Sequence, residues 1–361
     1  MRQKLSFLQI SLIFILSIGL MNHVVVIPVL LDVSRRDAWL SVLLASLLFL
    51  PVFAMIAFII QRTGSDGSIL QWLRIRYGKL LSVPVAALLA PLLLLSAYVT
   101  GKDMNIWFTY AFLPQTPTVI LAVTFLGLAC YLAIQGIRSI AFTSAVLLPP
   151  VVLFGDFVMT FNFSRKDYAL LMPLFEYGSK PMWEGVLYIG SGFLELTFFL
   201  LLQPHLTDRI TKRGMIVLGL ILAGLTIGPT TGALAEFGPI EGSLLRFPAF
   251  EEWRIVKIGN YVEHVDFLSI FQWMSGAFVR ISLALYLLTE IFGRGKVWLT
   301  VSLAGLLAVG ISIRFSDPAF VQFIKTVYFP IHFYALLGLV VVLYFLVLLT
   351  KPNERRASHA S

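Results

Sequence analysis

The chain has 361 residues, of which 58% are hydrophobic and only 13% charged, with a formal net charge of +8. A soluble domain carries roughly twice that charge density, and the apolar residues fall in blocks near the ~20 residues that cross a bilayer. A soluble fold is therefore excluded. The basic excess lies in short segments between apolar runs, not in a Lys/Arg groove interleaved with aromatics, so it speaks for membrane orientation and against nucleic acid. The single cysteine, Cys130, sits inside an apolar run, which leaves no internal disulfide and no thiolate metal site.

Taken in chain order, the first apolar run starts at Leu5 and continues to Pro28 without a small-residue cleavage site, so it reads as a span and not as a signal peptide. Spans are predicted at residues 6–30, 38–61, 80–101, 117–136, 139–160, 184–206, 214–236, 267–291, 297–313 and 326–349. The fold class expected is all-α integral membrane, with about ten transmembrane helices in one domain over residues 1–350. Its halves are about 5–160 and 183–349. A polar tail, 351–361, follows. Residues 67–79 place Ile69, Leu70, Trp72, Leu73 and Ile75 among Arg74, Arg76 and Lys79, the pattern of an amphipathic helix lying on a membrane surface.

Basic residues such as Arg2, Lys4, Arg62, Arg138, Arg213, Arg294 and Lys351 fall on one side of the spans, and most loop acids on the other. The positive-inside rule then puts both termini in the cytoplasm. Two outer loops, about 161–183 and 237–266, exceed the length of ordinary connections and point to a role. Within the second, residues 246–253 mix aromatics and charge as an ordered loop or partner surface would. Asp32 and Asp37, beside Arg35 and Arg36, read as solvated charges of the first outer loop.

Two breaks stand out. Ser17, Ile18 and Gly19 lie near the middle of the first span, and Gly190, Ser191 and Gly192 near the middle of the sixth. Glycine destabilises a helix by about 1 kcal/mol relative to alanine, so each cluster is either an unwound point or a close helix contact. Their equivalent places in two five-span halves match a 5+5 inverted repeat with discontinuous helices 1 and 6. Backbone freed there would hold a carboxylate through N–H groups and an ammonium through carbonyls, the two charges of an amino acid.

Glu195 follows the second break by one turn. An ionisable group at that depth costs about 2.5–3.5 kcal/mol on insertion scales, so it is a site carboxyl or a paired structural group. Arg280 in the eighth span is a partner for Glu195 or for Asp156 in the fifth. Tyr98 and Lys102 are one turn apart on the third span, either facing one cavity or, for Lys102, snorkelling to the outer interface. His23 lies one turn beyond the first break and reads as a hydrogen-bonded interior residue. Catalytic signatures (GxSxG, P-loop, HExxH) are absent, so neither an enzyme nor a cofactor is expected.

These residues resemble the spore germination permease family, the B subunits of nutrient germinant receptors. The opening Leu5-Ser6-Phe7-Leu8-Gln9 followed by Ile18-Gly19 is similar to that family's start, and Asp37-Ala38-Trp39-Leu40-Ser41 to the beginning of its second span. The most specific match is Arg246-Phe247-Pro248 with Glu251, Ile258, Val262-Glu263-His264-Val265-Asp266 and Trp273, with His264 where members commonly carry Arg. The resemblance implies the amino acid–polyamine–organocation transporter fold and a germinant-sensing role in the inner membrane of the spore. It also implies two partners, a membrane-anchored A subunit and a C lipoprotein. The site it implies is Ser17, Ile18, Gly19, Gly190, Ser191 and Gly192, with Glu195 and Tyr98 beside them. The expected ligand is a small nutrient, an amino acid foremost. A proton- or cation-coupled amino-acid transporter would use the same cavity.

Overall fold

A computed structural model describes residues 4–64, 67–259, 263–293 and 296–350. The expected tail and Arg2, Val262, Arg294 and Lys351 lie outside these residues. The described chain is helical, with one isolated parallel bridge between Leu5 and Leu206.

The first helix, α1 (Phe7–Leu20), starts where Ser6 caps it. The Ser6 hydroxyl accepts from the Gln9 amide at 3.2 Å and the Gln9 side chain accepts from the Ser6 amide at 2.9 Å. This reciprocal cap satisfies two orphan donors of the first turn and gives the Ser-x-x-Gln opening its physical meaning. A π-helical turn, Met21–Val26, joins α1 to α2 (Ile27–Ser34). The chain reverses at Arg35, whose φ of 48° is a left-handed value rare outside glycine, and returns through α3 (Ala38–Leu48) and α4 (Leu50–Thr63).

The amphipathic helix is present as α5 (Ile69–Tyr77), with Ile69, Trp72 and Leu73 buried against α6 and Arg74 and Arg76 outward. The long α6 (Lys79–Ala111), α7 (Thr118–Gln135) and α8 (Ile137–Phe161) complete the first half. The second half begins with α9 (Lys180–Leu194), which tightens into a 3-10 segment, Glu195–Leu201. Then come α10 (Lys212–Leu244), the short α11 (Pro248–Arg254), α12 (Leu268–Phe292) and α13 (Lys296–Ser312). The last span is α14 (Asp317–Phe323), a second π turn, Ile324–Tyr328, and α15 (Phe329–Leu349).

Among the described residues, eight helical stretches are long and apolar enough to cross a membrane. One of them, Phe7–Thr63, has 57 residues, or about 85 Å of helix, more than twice the ~30 Å hydrocarbon layer. Its two arms fold back to pack on α10 together. The expected ten passes follow when this stretch is read as two and the shorter Val297–Ser312 as one.

The centre of the bundle is occupied by the α9 and α12 stretches, whose apolar windows are 89% and 78% buried, against 33% for α6. Around them α1 packs on α8, α10 and α12, and α9 on α2, α3 and α15. The segment 237–266, read above as an outer loop, is more ordered than its length suggests. The α10 helix continues past a bend at Gly238, where φ is 73°, and α11 buries Phe250 and Trp253. The aromatics of residues 246–253 therefore face inward: Phe250 meets Trp107 edge-on at 5.6 Å, and Trp107 stacks on Trp273 at 4.3 Å.

The turn between α2 and α3 also departs from expectation, at Asp37. Asp37 is buried and its carboxylate accepts from the Phe175 amide at 3.0 Å. Asp32 pairs with Lys325 at 2.7 Å, and Arg36 binds the Met172 carbonyl and Glu176. Asp37 and Arg36 thus dock the 161–183 segment onto the α2–α3 turn, while Asp32 stays exposed as read.

Candidate functional site

A buried carboxylate and a buried guanidinium in apolar helices must find each other or other polar groups, because neither is solvated there. Glu195, the first residue of the 3-10 segment, meets Arg280 of α12 in a bidentate pair with both contacts at 2.5 Å; the side chains are 4% and 2% exposed. The planar guanidinium suits such a two-point contact.

Its remaining donors are also used. Arg280 donates to Thr100 Oγ1 at 2.8 Å, Ser96 Oγ at 2.6 Å, Tyr328 Oη at 3.3 Å and the Ser17 carbonyl at 3.3 Å. The Tyr328 hydroxyl in turn donates to Glu195 Oε1 at 3.4 Å. One side chain thereby ties together α1, α6, the end of α9, α12 and the second π turn.

Departures from α geometry gather at this point. The first π turn begins at Met21, whose sulfur is 3.9 Å from Tyr328 Oη. The 3-10 segment begins at Glu195, and Tyr328 closes the second π turn. Mid-helix π and 3-10 segments are where helices commonly hinge or bind.

The sequence places the discontinuities slightly too early. Ser17, Ile18 and Gly19 are regular α-helix within α1, and Gly190, Ser191 and Gly192 are regular within α9. The change comes after them, as a shift of helical type and not as unwound chain. The glycines of α9 serve close packing: a Cβ on Gly190 would collide with Phe49 and Phe333, and one on Gly192 with Asn22. The roughly 1 kcal/mol cost of a helical glycine is offset by that approach.

The other expected residues divide. Ser17 joins the centre through its carbonyl, while Ile18 and Ser191 are buried beside it in sequence only. Gly19 lines a separate cavity. Tyr98 packs its ring against Gly310 of α13. Lys102 does not snorkel: its ammonium donates to the Ile311 and Ile313 carbonyls, both at 2.7 Å, closing the end of α13. Sequence reasoning missed Ser96, Thr100 and Tyr328. A Ser and a Thr four residues apart in an apolar run, and so on one helix face, were the readable signal for two of them.

The cavity, of about 360 Å³, lies on the other side of α1, between α8, α10 and α12, and is roofed by α11. Asp156 and His23 line it, so Asp156 belongs here and not to Arg280. The roof is fastened by Trp253, whose indole donates to Gln272 at 2.8 Å, and by Asn162, which donates to the Glu252 carbonyl at 2.8 Å. Gln272 donates to the Val151 carbonyl at 2.9 Å.

Behind the roof, Glu236 Oε1 lies 3.4 Å from the Lys166 ammonium, with both side chains fully buried. Glu252 is 3% exposed and its Oε1 has no hydrogen-bond partner among the described residues. Burial pushes the Glu252 carboxyl well above the usual carboxylate range, and the charge of Glu236 adds to this while Lys166 opposes it. A second clasp sits beside α11. Arg246 pairs with Asp103 of α6 at 2.6 Å and with both oxygens of Asp317 of α14 at 3.0 Å.

Comparisons with known proteins bear on this arrangement. A family profile described as "Spore germination protein" matches residues 4–316. Spore germination protein XB of Bacillus anthracis is 39% identical over 357 residues, covering 98% of this chain and 99% of that protein. Spore germination protein KB of Bacillus subtilis (strain 168) is 23% identical, covering 71% and 69%. Among solved structures, that of MhsT in complex with L-phenylalanine superposes with a TM-score of 0.63 at 12% identity, covering 97% of this chain and 99% of that one. The shared fold is thus a membrane-protein helical bundle, and with a profile match over most of its length the chain belongs to the spore germination protein (spore permease) family.

Proposed function

We propose that this chain is the nutrient-sensing B-type subunit of a germinant receptor, binding a small nutrient, foremost an amino acid, between its first and sixth spans. The observation that carries the reading is the Glu195–Arg280 pair at the meeting of two π turns and a 3-10 segment. Its two charges are the complements of a zwitterion's ends: Glu195 suits an ammonium and Arg280 a carboxylate. An amino acid inserting there would exchange one ion pair for two. It would part α9 from α12, with Ser17 and Gly192 flanking the opening.

A ligand shifts a conformational equilibrium only by its differential affinity for the two states. The closed centre supplies one state, and a zwitterion-filled centre would supply the other. The family match and the names of the relatives support a germination role. The likeness to MhsT, whose structure holds L-phenylalanine, supports a substrate-sized site in this fold. The reading also takes the two halves as an inverted repeat, puts both termini in the cytoplasm and α11 outside the inner spore membrane, and gives the chain an A subunit and a C lipoprotein as partners.

Direct binding tests this. Purified protein titrated with single amino acids should bind at least one, and Glu195→Gln should weaken that binding about tenfold or more. Unchanged affinity in Glu195→Gln would sink the site. Accumulation of the amino acid by vesicles containing this chain alone would favour the coupled-transporter reading.

A further inference from the structure

We propose that the cavity under α11 is a separate binding site for a primary ammonium compound with a small apolar body, its charge held by the Glu252 carboxylate. The volume, about 360 Å³, falls at the lower end of small-molecule pockets. The walls are aliphatic side chains of α1 and α8, and the rings of Trp253 and Trp273. An apolar molecule with a flat or branched body suits them.

Polarity sets the charge of the ligand. The lining contains Glu252, Asp156 and His23, and no lysine or arginine. The ammonium of Lys166 lies behind the lining, held between the Met159 sulfur at 3.1 Å and Glu236 at 3.4 Å. Glu252 is buried with an unpartnered oxygen, and leaving a buried acceptor unmade is costly. An entering ammonium would supply the missing donor. A ligand carboxylate would find no cation in this lining, so a simple amine fits better than an amino acid.

Two glycines of α10 keep the space open. Gly224 and Gly228 line the cavity, and a Cβ added to either meets no atom within 4 Å. This contrasts with Gly190 and Gly192, where packing needs the missing side chain. The site also lies across α1 from Glu195, so the two can be tested apart.

Binding should move a proton. The charges acting on Glu252 are those of Glu236 from α10 and Lys166 from the segment after α8, and Asp156 from α8 and His23 from the first π turn line the same cavity. Burial and the charge of Glu236 make the Glu252 carboxyl hold its proton more tightly than usual, against the opposing charge of Lys166, and an arriving ammonium favours its ionised form. The carboxyl proton is therefore released to solvent as the ion pair forms, and affinity rises with pH until the amine itself loses its charge.

The test uses the full chain in nanodiscs, titrated with 2-phenylethylamine and, as its neutral counterpart, 2-phenylethanol. Expected are saturable amine binding at least about tenfold tighter than the alcohol, and uptake of added buffer capacity by released protons. Glu252→Gln should abolish the proton release and weaken the amine about tenfold. Gly228→Leu should block the amine by filling the space, a check that does not depend on Glu252→Gln folding. Glu195→Gln should leave amine binding unchanged, so failure here is distinct from failure of the nutrient site. Equal affinity for amine and alcohol, or full amine affinity in Glu252→Gln, overturns the proposal.

Discussion

The two buried polar regions of this protein are built on opposite terms. Around Arg280 every donor has a partner, supplied by four other elements. Around Glu252 two carboxylates share one lysine, an oxygen is left without a donor, and a cavity adjoins. A satisfied buried network fixes one arrangement of the elements that make it, whereas a partly satisfied one is high in free energy until something completes it. The first region has the character of a latch and the second that of a receptor for a missing group.

The contrast can be broken most forcefully at the centre. Arg280→Met leaves Glu195 buried and uncompensated and should cost about 3–5 kcal/mol, read as a lower thermal midpoint of the purified protein. Glu195→Leu combined with Arg280→Met should recover much of that loss, since no charge is left unpaired. A double variant as unstable as Arg280→Met would show that the pair is not what holds the centre. Next, Arg246→Met should cost about 2–3 kcal/mol, because the Asp103 side chain is only 2% exposed. Proteolysis between α10 and α12 should accelerate in that variant.

The glycines sharpen the comparison at smaller scale. Gly190→Ala must push into Phe49 and Phe333 and should destabilise by about 1–3 kcal/mol. Gly228→Ala meets nothing and should be neutral or stabilising by up to about 1 kcal/mol. Equal effects at the two positions would contradict the assignment of one to packing and the other to open space.

The smallest effect is a pH dependence. Glu252 holds its proton more tightly in the folded chain than in the unfolded one. Its contribution to stability is therefore complete below the ordinary carboxylate range and is lost as pH rises through the elevated value. The thermal midpoint of the native protein should fall relative to Glu252→Gln as pH is raised. A constant difference between them would remove Glu252 from the account.

Much of this was legible in the sequence because hydropathy and charge are local properties. The ten apolar runs, the amphipathic α5 and the interior placing of Glu195 and Arg280 all follow from them. The choice of Glu195 over Asp156 as the partner of Arg280 was not legible, because it depends on which faces of α8, α9 and α12 meet. The breaks were misplaced for a related reason. Glycine lowers helix propensity wherever it stands, but at Gly190 and Gly192 tertiary packing against Phe49, Phe333 and Asn22 wins over propensity. Asp37 shows the same limit: beside two arginines it looks solvated, yet it anchors the backbone of Phe175 from 138 residues away.

The end of the bundle opposite α11 carries a consequence of its own. There the Leu5 amide donates to the His205 carbonyl at 2.6 Å and the Thr207 amide to the Leu5 carbonyl at 2.9 Å. This seam joins the start of the first span to the end of the sixth through main-chain atoms, which every residue except proline supplies in full. Most substitutions along it leave its main-chain hydrogen bonds intact, so drift in side chains does not loosen this closure. Thr207→Pro would remove one of its two bonds and Leu5→Pro the other.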